Sequence, residues 1–306
     1  MTTKEIDVLC VGELVADIIA TQEGKLEDVE NFNVHLGGSP TNVASHLKRL
    51  GHRVELVATV GNDGLGNHLK RRLEEIHIDL KNLKTTNKRA TSNIIIDRNQ
   101  ATPEFIPYRQ ADSYITNNQL PLSLLSKVNI FHTTCFALSK NPAQTTILSK
   151  AAQAFKAGCQ LSIDLNYAEK IWHSQKQPLH VIEDFCQYNP LIKISEDDKN
   201  RLLGGITDRE MFDYFHQLGV DKICYTKGKA GVIFSQKDKT LLELPAPHVK
   251  HIKDTTGAGD AFWSGFLSSH VRQLEIKHCL LNGLKYAAFK LQNGNNIPEK
   301  VEIDDI

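Results

Sequence analysis

Charge imbalance is missing from this chain. Its 306 residues hold 36 Lys+Arg against 36 Asp+Glu. A formally neutral chain lacks the broad basic surface that nucleic acid or an anionic membrane demands, although a local anion pocket remains open to it. Cysteine pairs at redox or metal spacing are absent too. The six cysteines, Cys10, Cys135, Cys159, Cys186, Cys224 and Cys279, are widely separated and no CxxC occurs. They read as reduced core thiols of a cytoplasmic protein rather than a disulfide or metal framework. No uninterrupted apolar run is long enough to span a bilayer. The N-terminal "MTTKEIDVLCVGELVADIIA" has no basic lead, and Glu13 and Asp17 break its apolar stretch, so it reads as a buried strand instead of a signal peptide. Internal repeats, low-complexity tracts and Pro/Ser-rich linkers are also lacking, which favours one compact domain over residues 1–306.

What is present is alternation. "IDVLCVG", "RVELVATVG", "VNIFHTT", "QLSIDLN", "PLIKIS" and "DKICYTKG" read as strands. Between them, "SPTNVASHLKRLG", "LGNHLKRRLEEI", "AQTTILSKAAQAFKAG" and "REMFDYFHQLG" carry helical periodicity. In the first of these Ser39 is expected as N-cap, Pro40 as the first helical residue and Gly51 as the stop. "GVIFSQKDKTLLELPAP" reads as a hairpin, and two helices starting near 258 and 276 close the chain. Strands alternating with helices predict a mostly parallel sheet with helices on both faces, and ligands in such sheets sit beyond the carboxyl ends of the strands. Two stretches with polar-faced extended segments break the alternation: residues 14–36 contain one further short extended segment, and 88–109 reads as two strands joined by a turn. They suggest a small second sheet, as a lid or as a plain edge extension.

The chemistry concentrates in two stretches. In "DTTGAGDAFWSGF", residues 254–266, Gly257, Ala258 and Gly259 lead into a helix whose first turn holds Asp260. Backbone N–H groups at such an entrance suit an anion. Asp260 either complements the helix dipole or accepts the proton of an attacking hydroxyl in phosphoryl transfer. The glycines are no Walker A loop, because no Lys-Ser/Thr follows, and Phe262 stands where a dinucleotide fingerprint needs its third glycine. In "GGSPTNVA", Gly37 and Gly38 let the backbone approach a ligand. Asn42 offers a donor and an acceptor to a pair of sugar hydroxyls, or is simply exposed on its helix.

Together these two stretches resemble the signature regions of the ribokinase-like (PfkB) carbohydrate kinases, with "VGELVADI", "TVGNDGLG", "KISEDD" and "TKGKAG" in the family's order between and around them. The resemblance implies a three-layer α/β ribokinase-like fold with a small β-sheet lid, ATP and Mg²⁺ as cofactor and metal, and phosphorylation of a small sugar. It implies Asp260 as catalytic base and Gly257, Ala258 and Gly259 as the anion hole. Asp17, Gly37, Gly38 and Asn42 match sugar-binding positions. Lys193, Ser195, Thr226, Gly228 and Gly231 fall in nucleotide-side motifs, with Asn282 near the adenine. The family's Asn-x-x-Glu, which holds magnesium largely through water, is replaced here by Ser195-Glu196-Asp197-Asp198, with Asp198 as the leading metal ligand and Glu196 and Asp197 as alternatives; without the family, the stretch is an ordinary acidic helix start. Asp254 and Thr256 match positions around a monovalent-cation site found in many members, which makes K⁺ a candidate.

"FIPYRQAD" and "DLNYAEKIW" resemble segments of fructokinases and keto-sugar-acid kinases. They add Arg109, Asp164 and Asn166 to the sugar side, although an arginine common in the second segment is absent. Fructose is the first choice of substrate. A keto or deoxy sugar acid is the alternative, and a ribose or nucleoside kinase comes after both. A homodimer through the lid is a further expectation of the resemblance, while the balanced charge and the lack of a spanning apolar run predict no nucleic-acid or membrane partner.

Overall fold

The computed structural model describes residues 4–98, 104–172, 177–239, 241–294 and 296–306. The chain runs β1 (Ile6–Val11), β2 (Val15–Ala20), β3 (Phe32–Gly37), α1 (Ser39–Arg49), β4 (Val54–Gly61), α2 (Gly64–Glu75), β5 (Leu83–Thr86), β6 (Asn93–Ile96) and β7 (Phe105–Tyr108). It continues through α3 (Leu122–Leu125), β8 (Val128–Thr134), α4 (Ala143–Lys156), β9 (Gln160–Asp164), α5 (Gln177–Cys186), β10 (Leu191–Ser195), α6 (Glu196–Leu203) and α7 (Asp208–Gln217). β11 (Lys222–Thr226), β12 (Val232–Gln236), β13 (Leu242–Leu244), α8 (Ala258–Val271) and α9 (Ile276–Asn293) complete it.

The main sheet has the order β13-β12-β11-β10-β9-β8-β1-β4-β5. Its pairs from β5 to β11 are parallel, and β12 and β13 add an antiparallel edge. Period-2 alternation splits β1 between two cores: Leu9 and Val11 face one way, Val8 and Cys10 the other. Ile147 of α4, Phe185 of α5 and Phe215 of α7 pack on the first face. Leu47 of α1, Leu69 of α2, Phe266 of α8 and Leu280 of α9 pack on the second. This is the expected three-layer α/β arrangement. All six cysteines are free and buried, and among the described residues no helix is long and apolar enough to cross a membrane.

The two segments that broke the alternation form a second sheet, in the order β3-β2-β6-β7. β2 pairs antiparallel with β3 and parallel with β6, and β6 pairs antiparallel with β7. Residues 14–36 thus supply two strands rather than one, and the expected turn between β6 and β7 lies partly outside the described residues. One local expectation is corrected. Gly38 is the N-cap of α1 and Ser39 is its first residue, with no side-chain cap. The Ser39 hydroxyl is engaged elsewhere.

Candidate active site

The carboxyl ends of the parallel strands and the underside of the small sheet bring the two glycine stretches together. Gly257, with φ 73°, is the left-handed N-cap of α8, a conformation that a β-carbon disfavours. It turns the chain so that Asp260 enters the first helical turn, buried. Asp260 does more than complement the dipole. Its Oδ1 accepts from Ser39 Oγ at 2.6 Å and its Oδ2 from Asn42 Nδ2 at 2.9 Å. Burial raises the Asp260 carboxyl above its ordinary range, while those two donors and the charges of Lys193 and Lys290 oppose the rise. Of the three expected anion-hole amides, Ala258 N–H turns back to Thr255 O at 3.2 Å. Gly257 and Gly259 flank it, and the Lys193 ammonium stands 3.2 Å from where a β-carbon on Gly259 would be.

Asp17 and Asp164 are near enough to Asp260 to feel its charge. Asp17 of β2 stands over Gly37, so closely that a β-carbon at position 37 would overlap its carboxyl group. Burial and the negative charge of Asp260 push Asp17 up to about 7. Gly38, φ 101°, presses on the Glu13 carbonyl where no side chain fits. Glu13 itself accepts from Ser39 N–H at 3.1 Å and Thr134 Oγ1 at 2.8 Å, and burial pushes it up to about 8. Sequence reasoning passed over Glu13, whose signal was a carboxylate in an otherwise apolar run. Asp164, at the end of β9, holds Lys193 Nζ at 2.8 Å from each oxygen. The negative charges of Asp164, Asp198 and Asp260 raise Lys193 and keep it cationic despite its burial. The Asn166 N–H also points to Asp164, at 3.2 Å.

Arg109 is no surface residue. Its Nε and Nη2 meet Asp112 Oδ2 at 2.8 and 2.5 Å, its Nη1 donates to Ser139 Oγ, and its guanidinium lies 4.3 Å from the Phe136 ring centre.

Beyond Gly259 opens a cavity of about 870 Å³. Lys193, Ser195, Glu196, Asp197, Thr226, Gly228 and Gly231 bound its polar end, and Phe262, Leu284, Ala287, Ala288 and Leu291 its apolar wall. An apolar slot leading to an ammonium and a glycine loop suits a nucleobase at one end and phosphates at the other. Asn282 is not part of it. Its Nδ2 donates to Ser269 Oγ at 2.9 Å, against α8, and α9 instead presents Leu284, Ala287, Ala288 and Leu291.

Asp198 is also turned away. It closes a capping box with Ser195 and accepts from Tyr167 N–H at 2.8 Å, so both its oxygens are engaged. Glu196 and Asp197 border the cavity and are exposed. Mg²⁺ keeps much of its water and takes one or two carboxylates plus phosphate oxygens, and Glu196 and Asp197 fit that demand better than Asp198. Among the described residues no group of three His, Cys, Asp or Glu forms a ready metal cage. Asp254 and Thr256 fit a monovalent cation poorly. Asp254 Oδ1 accepts from Thr256 N–H at 2.9 Å, and the ammonium of Lys290 lies 3.4 Å from its Oδ2.

A family model described as "pfkB family carbohydrate kinase" matches residues 5–302. The chain belongs to the pfkB family of carbohydrate kinases. As a member it is a phosphotransferase acting on a sugar hydroxyl, and the paired halves of its site acquire their meaning. This kinase is similar to an ATP-dependent 6-phosphofructokinase of Thermoanaerobacterium thermosaccharolyticum, 33% identical over 99% of this chain and 93% of the relative. It is similar in structure to a fructokinase of Halothermothrix orenii, with TM-score 0.81 and 30% identity, covering 91% of this kinase and 98% of that chain. A sugar kinase of Pyrococcus horikoshii solved in complex with ATP superposes with TM-score 0.81 at 25% identity, covering 98% and 96% of the two chains.

Proposed function

We propose that this kinase transfers the γ-phosphoryl group of ATP to a primary hydroxyl of a neutral ketohexose, with fructose as first substrate. The observation that carries the choice is that the buried arginine near the sugar side is already neutralised. Glu13, Asp17 and Asp260 line up there, and the nearby arginine, Arg109, is neutralised by Asp112. A sugar carboxylate would meet Asp260, a partly ionised Asp17 and no uncommitted guanidinium, while Glu13, pushed up to about 8, offers a carboxyl that keeps its proton near neutral pH. A polyol instead finds hydrogen-bond acceptors, which argues against the keto and deoxy sugar acids.

In the reaction, Asp260 accepts the proton of the attacking hydroxyl as its oxygen bonds to the γ-phosphorus and the bond to the ADP oxygen breaks. Ser39 and Asn42 hold both Asp260 oxygens in place. The Gly257–Gly259 loop and Lys193 face the negative charge of the moving phosphoryl group. Mg²⁺, when bound, screens the phosphate charge, and Glu196 and Asp197 are the residues that would hold it through water. The small sheet acts as the lid, since it carries Asp17 over the sugar side. Val34 of β3 and Ile106 and Tyr108 of β7 are exposed on it, and they support pairing of two lids in a homodimer.

A second reading is phosphorylation of fructose 6-phosphate. The similarity over 99% of the chain to a protein named 6-phosphofructokinase favours it.

An ATP-coupled screen decides among these. Fructose, fructose 6-phosphate, 2-keto-3-deoxygluconate, 5-dehydro-2-deoxygluconate, ribose and adenosine are compared by kcat/KM. The proposal expects fructose to lead by about tenfold or more, a margin that one lost polar contact supplies. A lead for fructose 6-phosphate transfers the conclusion to the second reading, and a lead for a sugar acid overturns both.

A further inference from the structure

Lys290 is a buried cation that the phosphoryl-transfer scheme leaves unused. It sits in the last turn of α9, 5% exposed, with its ammonium 3.4 Å from Asp254 Oδ2. The other oxygen of Asp254 accepts from Thr256 N–H at 2.9 Å. Next to them, Lys253 N–H donates to Leu291 O at 2.9 Å and straps the same loop to the same helix end. Lys290 Cε also lies 4.0 Å from where a β-carbon on Gly257 would stand. The Lys290 side chain thus runs beside the root of the anion loop, with its ammonium on Asp254, under the residues that lead to Gly259 and Asp260. Its charge is felt at Asp260, where it favours the carboxylate.

A lysine ammonium is a compact point charge much like a hydrated alkali ion. A monovalent cation bound to Asp254 would have to share that carboxylate with it, against like-charge repulsion. We propose that Lys290 is a built-in monovalent cation, which fixes the Asp254–Gly259 loop and makes this kinase independent of K⁺. Lys290 is a positioning residue: it acts through Asp254 and the loop without touching the reacting atoms. The inference rests on the phosphotransferase reading and on no particular sugar.

The test compares wild type, Lys290→Ala and Lys290→Arg in choline chloride and in KCl at equal ionic strength. Turnover, calorimetric affinity for a non-hydrolysable ATP analogue, and melting temperature are measured. Wild-type turnover is expected to change by less than about twofold when about 100 mM choline is replaced by K⁺, an exchange that leaves screening constant. Lys290→Ala is expected to lose about tenfold or more in kcat, as when a preorganised charge is removed. KCl, and not choline chloride, should restore part of that loss. Its melting temperature should rise with K⁺ by mass action, whereas the wild-type value stays flat. Lys290→Arg, which keeps a cation, should remain insensitive to K⁺.

A several-fold K⁺ activation of wild type overturns the proposal, as does a Lys290→Ala enzyme that matches wild type without K⁺. The wild-type titration needs no variant to fold. Melting and nucleotide affinity need no sugar, so they report on Lys290 even where the chosen sugar proves wrong.

Discussion

Asn42, in the first turns of α1, donates a hydrogen bond to the carboxylate of Asp260, 218 residues further along the chain, at 2.9 Å. This contact joins the two glycine stretches into one site. It also resolves an electrostatic conflict, because a carboxylate beside an anion loop repels phosphate unless it is directed elsewhere. With Ser39 on one oxygen and Asn42 on the other, Asp260 is held toward the start of α1.

Removing either donor should move the pH profile. Burial raises Asp260, and the bonds from Ser39 and Asn42 oppose that rise. Without one of them the folded carboxyl goes higher still. With Asp260 as the base, the active form is the carboxylate, lost as pH falls through its pKa, so the acid limb of kcat/KM moves to higher pH. For Ser39→Ala and Asn42→Ala we expect that displacement, with a fall in kcat of about tenfold near pH 7. An unmoved acid limb would show that these donors do not tune the base.

Gly37→Ala tests the sugar side. The new methyl group would overlap the Asp17 carboxyl group and push it from its place over the glycine. The sugar KM should rise about tenfold or more, while affinity for the ATP analogue stays within about twofold, as expected when one substrate's contacts are misplaced. Equal loss of both affinities would mean that the small sheet does not serve the sugar alone.

Glu13 makes stability depend on pH. Its folded pKa, about 8, exceeds the ordinary 4.5 because burial penalises the charged form. The folded state therefore holds a proton that the unfolded chain releases. That contribution is complete below about pH 4.5 and is lost as pH rises through 8. Glu13→Gln cannot ionise, so between pH 5 and pH 8 the wild-type melting temperature should fall relative to that of the variant. Parallel melting curves across that window would contradict the proposed protonation.

Much of this architecture was legible in the sequence. Period-2 apolar runs and helical stripes mark elements such as β4 and α2, where burial at the core face writes the pattern. β5 has four residues and no apolar stripe, so it does not stand out from local periodicity, whereas α6 is marked by its acidic start alone. The glycine stretches were equally visible, because close backbone approach admits few residue types. Long-range partners were not. Ser39 reads as a helix cap by its neighbours, yet its hydroxyl belongs to Asp260. Asp198 reads as a metal ligand by its motif, yet the capping box and Tyr167 N–H occupy it. Asn282 lies on a helix whose rotation turns it toward Ser269. Lys290 looks like an ordinary late-helix lysine until α9 is packed beneath the Asp254 loop.

The role of Asp260 is most directly tested by Asp260→Asn. The amide keeps the shape and can still accept from Ser39, while rotation of the Asn42 amide restores the other contact. What is lost is the negative charge and, with it, the ability to take a proton. Single-turnover and steady-state kinetics with the preferred sugar should show kcat lower by at least about 100-fold, with binding of sugar and ATP analogue retained. Turnover near the wild-type rate would contradict Asp260 as the base.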